Sequence, residues 1–362
     1  METVGTPFLT QREVPRAQTR SQPHEIDVMR SILVCLDRSP FSEVCLPYAV
    51  LFSKTFGSAI TLLHVMQPPH EPAEVCATNA LDWEISRREA EAYLDRLEKE
   101  VAKASGQRVN TRLEQGHPAK RIATLAHELG ADLIVLGSHG EGGMTSWNLG
   151  STVQQVLAVA RGSVLVARST SPAPNIVSPK RILVPLDGSL RTESVLPIVA
   201  RIAKAHDAEV LLVHVIAEPL PTGILRAAED LDLARELATR LESRAKRYLE
   251  DLRDQLARKV RSVRTVVIRH VDERQSLLGI SQTEGIDLVV LLAHGSTCNA
   301  ARPFGSVAEH LLMHSMVPLL VLQDLPELER SPEVFAEELA PPLRASFTPE
   351  VAVHSETSET KA

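Results

Sequence analysis

Short apolar runs alternate with amphipathic segments along two long stretches of this chain. In the first, residues 32–36, 60–65, 109–114, 133–136 and 164–167 read as strands, with helical periodicity over 43–54, 84–103, 120–129 and 152–160. The second repeats the order with strands at 182–186, 210–216, 265–269, 288–292 and 319–322. Its longest helix keeps Leu237, Leu241, Ala245, Tyr248, Leu252 and Leu256 on one face. The strands are nearly unbroken in Ile, Leu and Val, which predicts burial on both sides and hence parallel sheets covered by helices. Right-handed strand–helix–strand crossovers then give an α/β fold: two tandem, doubly wound, Rossmann-like sheets of five parallel strands.

The two stretches are copies. Arg30–Ser39 (RSILVCLDRS) returns as Lys180–Ser189 (KRILVPLDGS), 150 residues later, and Leu62-Leu63-His64-Val65 as Leu212-Val213-His214-Val215. His139-Gly140 and Gly150-Ser151 correspond to His294-Gly295 and Gly305-Ser306, now 155 residues apart. A slip of five over a whole unit marks a duplicated domain. The division expected is a tail at 1–29, domain one at 30–168, a linker with three prolines at 169–179, domain two at 180–323 and a second tail at 324–362.

Composition narrows the functions. The 362 residues are 44% hydrophobic, yet no run approaches the ~20 apolar residues of a membrane span. The first 29 residues lack the apolar core of a secretory signal. Cys35, Cys45, Cys76 and Cys298 form no CxxC pair and read as reduced thiols of a cytoplasmic protein. A net charge of −7 without a basic block, with 3% aromatic residues, argues against nucleic acid as a partner.

In doubly wound sheets ligands bind beyond the carboxyl ends of the strands, where the winding reverses. Asp37 and Asp187 end the first strand of each unit, and Gly137 and Leu292 end the fourth. Unit one then reads Gly137-Ser138-His139-Gly140, nine residues, and Gly150-Ser151-Thr152 opening a helix. Such glycines permit a sharp turn with bare N–H groups, and a helix N-terminus favours phosphate. Asp37 offers acceptors to a ribose hydroxyl or an exocyclic amine.

This constellation resembles the universal stress protein family, specifically its tandem members. The ATP-binding branch of that family carries G-x2-G-x9-G-[S/T], matched by Gly137, Gly140, Gly150 and Ser151. Asp37 with Ser39, Leu63-His64-Val65, and Gly116-His117-Pro118 match further signatures. The resemblance implies strand order 3-2-1-4-5, ATP as the cofactor with magnesium optional, and units paired through their last strands into a pseudo-dimer. The nucleotide site it implies comprises Asp37, Arg38, Ser39, Val65, Gly137, Ser138, His139, Gly140, Gly150, Ser151 and Thr152. A weaker second site comprises Asp187, Gly188, Ser189, Gly295, Gly305 and Ser306.

The units depart from that pattern differently. Unit one has Arg38 where the family has glycine; projected into the first crevice, Arg38 either pairs with phosphate or blocks it, and the sequence leaves its direction open. Unit two keeps Gly188 but carries Leu292 for the loop's first glycine and His270-Val271-Asp272 for Gly116-His117-Pro118. Leu292 is expected to fill space that ribose or phosphate needs, leaving unit two weak or inert. His64 and His214 read as strand-end residues, while His139 and His294 lack a carboxylate partner in sequence. His310 and His314 share a helical face without a third metal ligand. The expected function is a nucleotide-responsive stress-protection module with an unidentified protein partner and the option of homodimerisation. The alternatives are a weak ATPase or autophosphorylating enzyme, and a nucleotide-free scaffold.

Overall fold

The computed structural model describes residues 29–67, 76–138, 149–160, 162–168, 178–217, 228–297, 299 and 301–324. The tails up to residue 28 and from 325, linker residues 169–177, His139, Gly140 and Cys298 lie outside the described residues. Unit one runs β1 (Ser31–Leu36), α1 (Pro40–Glu43), α2 (Leu46–Phe56), β2 (Ala59–Met66), α3 (Cys76–Ser105), β3 (Val109–Gln115), α4 (Pro118–Glu128), β4 (Leu133–Gly137), α5 (Ser151–Val159) and β5 (Ser163–Ala167). Unit two runs β6 (Arg181–Pro185), α6 (Leu190–Glu193), α7 (Leu196–His206), β7 (Glu209–Ala217), α8 (Ala228–Leu256), β8 (Ser262–His270), α9 (Glu273–Thr283), β9 (Leu288–Leu292), α10 (Ser306–His314) and β10 (Leu319–Leu322).

The ten strands form one sheet in the order β3-β2-β1-β4-β5-β10-β9-β6-β7-β8. Each half therefore has the expected order 3-2-1-4-5 with parallel neighbours, and the halves meet where β5 pairs antiparallel with β10. Alternate residues of each central strand feed opposite faces. Val34, Leu133, Val135, Leu288 and Val290 join α2, α3, α7 and α8 in one apolar layer. Leu33, Ile134, Val164, Val289 and Leu319 join α4, α5, α9 and α10 in the other.

Local chemistry adjusts the expected elements. The helix predicted at 43–54 is two helices: Ser39 caps α1 by accepting from the Ser42 N–H at 3.1 Å, and α2 restarts with Pro47 in its first turn. The predicted strand at 182–186 stops at Pro185, although the Leu186 N–H still reaches the Val213 carbonyl at 2.8 Å. The face predicted for α8 is buried only in its second half. Ala245, Leu252 and Leu256 are covered, as is Leu249, whereas Leu237 and Leu241 are 56% and 40% exposed. Among the described residues no helix is long and apolar enough to cross a membrane.

The β5–β10 seam registers Val164 with Val321, Leu165 with Leu320, and Val166 with Leu319, none more than 1% exposed. Such side chains cannot be trimmed without leaving a void. Leu320→Ala is expected to destabilise the whole chain by about 2–5 kcal/mol, read as a lower urea midpoint at unchanged slope.

Candidate functional site

Both clefts begin where the first strand of a unit ends. The residue after the aspartate turns into the left-handed region: Gly188 has φ +85° and Arg38 φ +69°. Glycine takes this conformation freely, whereas a residue with a Cβ is strained there. The turn brings the following serine back to the aspartate, so that the Ser39 N–H donates to Asp37 Oδ1 at 3.0 Å and the Ser189 N–H to Asp187 Oδ1 at 2.9 Å. Both serines are N-caps of the next short helix. Arg38 turns away from the crevice toward α3, where its guanidinium lies 3.5 Å from the Glu89 carboxylate.

The second strand supplies a fixed wall. His64 Nδ1–H donates to the Leu36 carbonyl at 2.9 Å, and His214 Nδ1–H donates to that of Leu186 at 2.8 Å. These histidines lock adjacent strand ends, as the strand-end reading expects. Val65 follows His64 on β2, half-buried and packed against the α4/α5 side of the sheet.

After the fourth strand, backbone bonds fold the glycine loop back on its base. In unit one Ser138 N–H donates to the Ala167 carbonyl and Gly150 N–H to the Ser138 carbonyl, both at 2.9 Å. In unit two Ala293 N–H meets the Leu322 carbonyl, and Gly305 N–H the Ala293 carbonyl, both at 2.8 Å. The structure thus brings Gly137, Ser138, Gly150, Ser151 and Thr152 to the mouth of the β1–β4 crevice. Glycine is the N-cap of both α5 and α10, and no side chain caps either helix. Among the described residues no side chain takes their first-turn N–H groups, the donors that an anion would take.

Unit two holds a cavity of about 210 Å³ at this position, lined by Asp187, Thr192, Glu273, Gly295, Ser296 and Ser306 among others. Leu292 is in its wall, 5% exposed and packed in the core with Leu186 and Leu322. Leu292 packs into the core from that wall, and a cavity stays open beside it. Gly295 is needed because a Cβ there would sit 2.7 Å from Asp187 Oδ2. That closeness lets the next residue, Ser296, donate its N–H to Asp187 at 2.6 Å.

Asp187 also accepts from the Ser189 hydroxyl at 2.6 Å and the Thr192 hydroxyl at 2.8 Å. Burial alone would raise its pKa, but these hydrogen bonds outweigh it and hold the carboxyl below its ordinary value. The neighbouring Glu273 is the opposite case. Burial first, and then the Asp187 charge, push its pKa up.

Helix caps correct the alignment of the third loop. His117 caps α4 and Asp272 caps α9, so Val271-Asp272-Glu273, not His270-Val271-Asp272, matches Gly116-His117-Pro118. Glu273 therefore stands where unit one has Pro118. His294 also differs from expectation, because its carboxylate partner comes from beyond the last strand. His294 Nδ1 lies 2.8 Å from Asp324 Oδ1 and its Nε2 3.0 Å from the Arg302 carbonyl, while Arg191 pairs with the same Asp324. Asp324, assigned by sequence to the C-terminal tail, is thus held against domain two. The rings of His310 and His314 lie 4.5 Å apart between centroids, tilted by 50°. Among the described residues no group of three His, Cys, Asp or Glu side chains could hold a metal ion.

Sequence reasoning missed Thr192, Ser296, Glu273 and Asp324. Only Thr192 left a signal, as the hydroxyl five residues past Asp187 and three past the Ser189 cap.

Two doubly wound units in one sheet, each with an aspartate, a glycine-floored loop and a glycine-capped helix at the strand ends, define a tandem α/β ligand-cleft protein. The sequence matches the Universal stress protein family over residues 29–168 and 179–323, and the chain belongs to that family. A universal stress protein of Methanocaldococcus jannaschii is 28% identical over 159 residues, covering 40% of this chain and 94% of that protein. Another, of Mycolicibacterium smegmatis, is 31% identical over 138 residues, covering 38% of this chain and 45% of that protein. The crystal structure of a universal stress protein from Archaeoglobus fulgidus shares the fold across 82% of this chain and 98% of its own, with TM-score 0.56 and 19% identity.

Two outcomes follow from the first-strand turns. Replacing Arg38 by glycine is expected to stabilise the chain by up to about 1 kcal/mol in urea unfolding, because left-handed strain exceeds the worth of an exposed ion pair. Asp187 has a depressed folded pKa, so its contribution is present above the unfolded carboxylate value near pH 4 and fades as pH falls through the folded one. Asp187→Asn is expected to be clearly less stable than wild type at neutral pH, with the gap closing in acid. A gap independent of pH would contradict that account.

Proposed function

We propose that this universal stress protein is an adenine-nucleotide-responsive regulatory module that takes ATP, with magnesium optional, into the unit-one cleft. One observation carries the reading: α5 opens at Gly150 with no side-chain cap, directly beside Ser138 and across the crevice from Asp37. The first-turn N–H donors and the positive end of the helix macrodipole suit a phosphate, and Asp37 suits a ribose hydroxyl. Arg38 supports the reading by pairing with Glu89 outside the crevice. His139 and Gly140 complete the proposed cradle.

Unit two is proposed to hold ATP weakly, since two carboxylates line its cavity and, among the described residues, no lysine, arginine or histidine does. ATP is proposed to order the unit-one loop and change the surface offered to a protein partner. A cytoplasmic setting is in keeping with Cys35 and Cys45, both buried as free thiols. Binding rather than turnover is favoured, because the donors identified are backbone groups and phosphoryl transfer needs a metal clamp and a positioned nucleophile.

Gly150 has φ −58° and ψ 149°, a conformation open to any residue, and aspartate is a good N-cap. At the equivalent Gly305 a Cβ would lie 3.2 Å from the Ala293 carbonyl, so Gly150→Asp, which places a carboxylate on the phosphate cradle, is read only after its urea midpoint shows that it is folded. Equilibrium dialysis with ATP is expected to show at least about a tenfold weaker unit-one site. Unchanged ATP affinity in this variant would remove unit one from the nucleotide reading. Steady phosphate release by the wild type would favour the enzyme alternative.

A further inference from the structure

The unit-two cavity differs from an inactivated copy of unit one in a specific way. Its floor and rim are kept: Asp187 is anchored, Gly295 leaves room for that anchor, and Gly305 opens α10. What changes is charge. Glu273, first residue of α9, faces the cavity where unit one has the uncharged Pro118.

The two carboxylates play different parts. Asp187 Oδ1 already accepts three hydrogen bonds, from the Ser189 N–H, the Ser189 hydroxyl and the Thr192 hydroxyl, and Oδ2 accepts the Ser296 N–H. With about four lone-pair sites on a carboxylate, Asp187 is close to saturated. Glu273 is half-buried, and among the described residues no group hydrogen-bonds it. Arg274, next on its own helix, is committed to Asp272 at 3.2 and 3.4 Å, and His214 of β7, whose Nδ1–H is given to Leu186, is close enough to act on Glu273 electrostatically without hydrogen-bonding it. A half-buried acceptor without a donor calls for one from a ligand.

We infer that the unit-two cleft binds a phosphate-free, hydroxyl- and amino-bearing ligand of nucleoside size in preference to a polyphosphate, and that Glu273 both accepts from that ligand and weakens binding of the polyphosphate. Size agrees, since about 210 Å³ lies below the 300–1,000 Å³ typical of clefts for larger ligands. Charge agrees as well: a phosphate entering this cavity would face Glu273 and Asp187 with no cationic side chain among the described lining residues. The inference rests on the reading of these clefts as nucleotide-type sites, extended to the copy that has gained a carboxylate.

The test uses the full chain, with adenosine and ATP as probes in equilibrium dialysis. Wild type is expected to bind adenosine in the presence of saturating ATP, because the two occupy different units. Ser296→Trp, a bulky change at an exposed position of the cavity rim, is expected to remove that adenosine site while leaving ATP binding intact. Glu273→Gln is expected to weaken adenosine and strengthen ATP at unit two, each by about tenfold, raising bound ATP toward two per chain. Complete displacement of adenosine by ATP in the wild type, no adenosine binding, or a folded Glu273→Gln variant with unaltered preference would each overturn the inference. The wild-type competition needs no variant, so misfolding of a mutant cannot rescue it. Failure of ATP to bind unit one, with adenosine still lost in Ser296→Trp, would overturn the unit-one reading and leave this one standing.

Discussion

The antiparallel contact of β5 with β10 is the constraint on which the rest of the molecule depends. Each five-stranded unit ends in a short, buried and almost wholly apolar strand, and a free edge of that kind is a template for aggregation. Joining the two edges removes both. It also sets direction: because β5 and β10 run opposite ways, the carboxyl ends of the two units point to opposite ends of the sheet, and so do their clefts. The seam strands carry the cleft loops as well, since Ser138 hangs from Ala167 and Ala293 from Leu322. Contacts across the seam tighten the join. Arg168, just past β5, donates to the Leu312 carbonyl near the end of α10, and the Ser163 hydroxyl accepts the Gln323 N–H at 3.0 Å.

With the frame fixed twice over, each copy has diverged at the positions that touch solvent in the cleft. The first-strand turn demands positive φ in both units, and unit one meets it with Arg38 at some conformational expense. Its guanidinium then reaches α3, away from the crevice. Unit two keeps glycine there and changes the third loop instead. Gly116 has φ +130° and Val271 replaces it; among the described residues only Arg38 and Asp207 combine a side chain with positive φ, so the α9 approach is a different turn. That change brings a carboxylate to the first turn of α9.

The sheet was legible because burial on both faces writes itself as unbroken Ile, Leu and Val, and the duplication allowed each unit to check the other. The seam followed from resemblance, and the paired apolar last strands gave it a physical reason. Less legible were features that depend on what lies opposite. Periodicity marks one face of α8, but nothing in the spacing says that Leu237 and Leu241 extend beyond the cover that buries Leu252. The partner of His294 was hidden because Asp324 is thirty positions away, past the last strand, where the chain reads as a tail. Glu273 was hidden by a one-residue slip in matching the loops, which only the capping residues His117 and Asp272 correct.

The unit-two carboxylates show how the same residue type separates into structural and available roles. Asp187 has gathered donors from its own turn, from α6 and from the loop after β9, so its charged form is stabilised and its position is overdetermined. Removing any one donor would leave the others, which is the behaviour of an anchor. Glu273 sits on the first turn of α9, where the macrodipole favours a negative group, yet burial and the anchored aspartate oppose its ionisation. A group held between those opposing influences without a protein donor gains most from a ligand that supplies one. Deeper burial of the same carboxylate would select its neutral form, and full exposure would let water satisfy it.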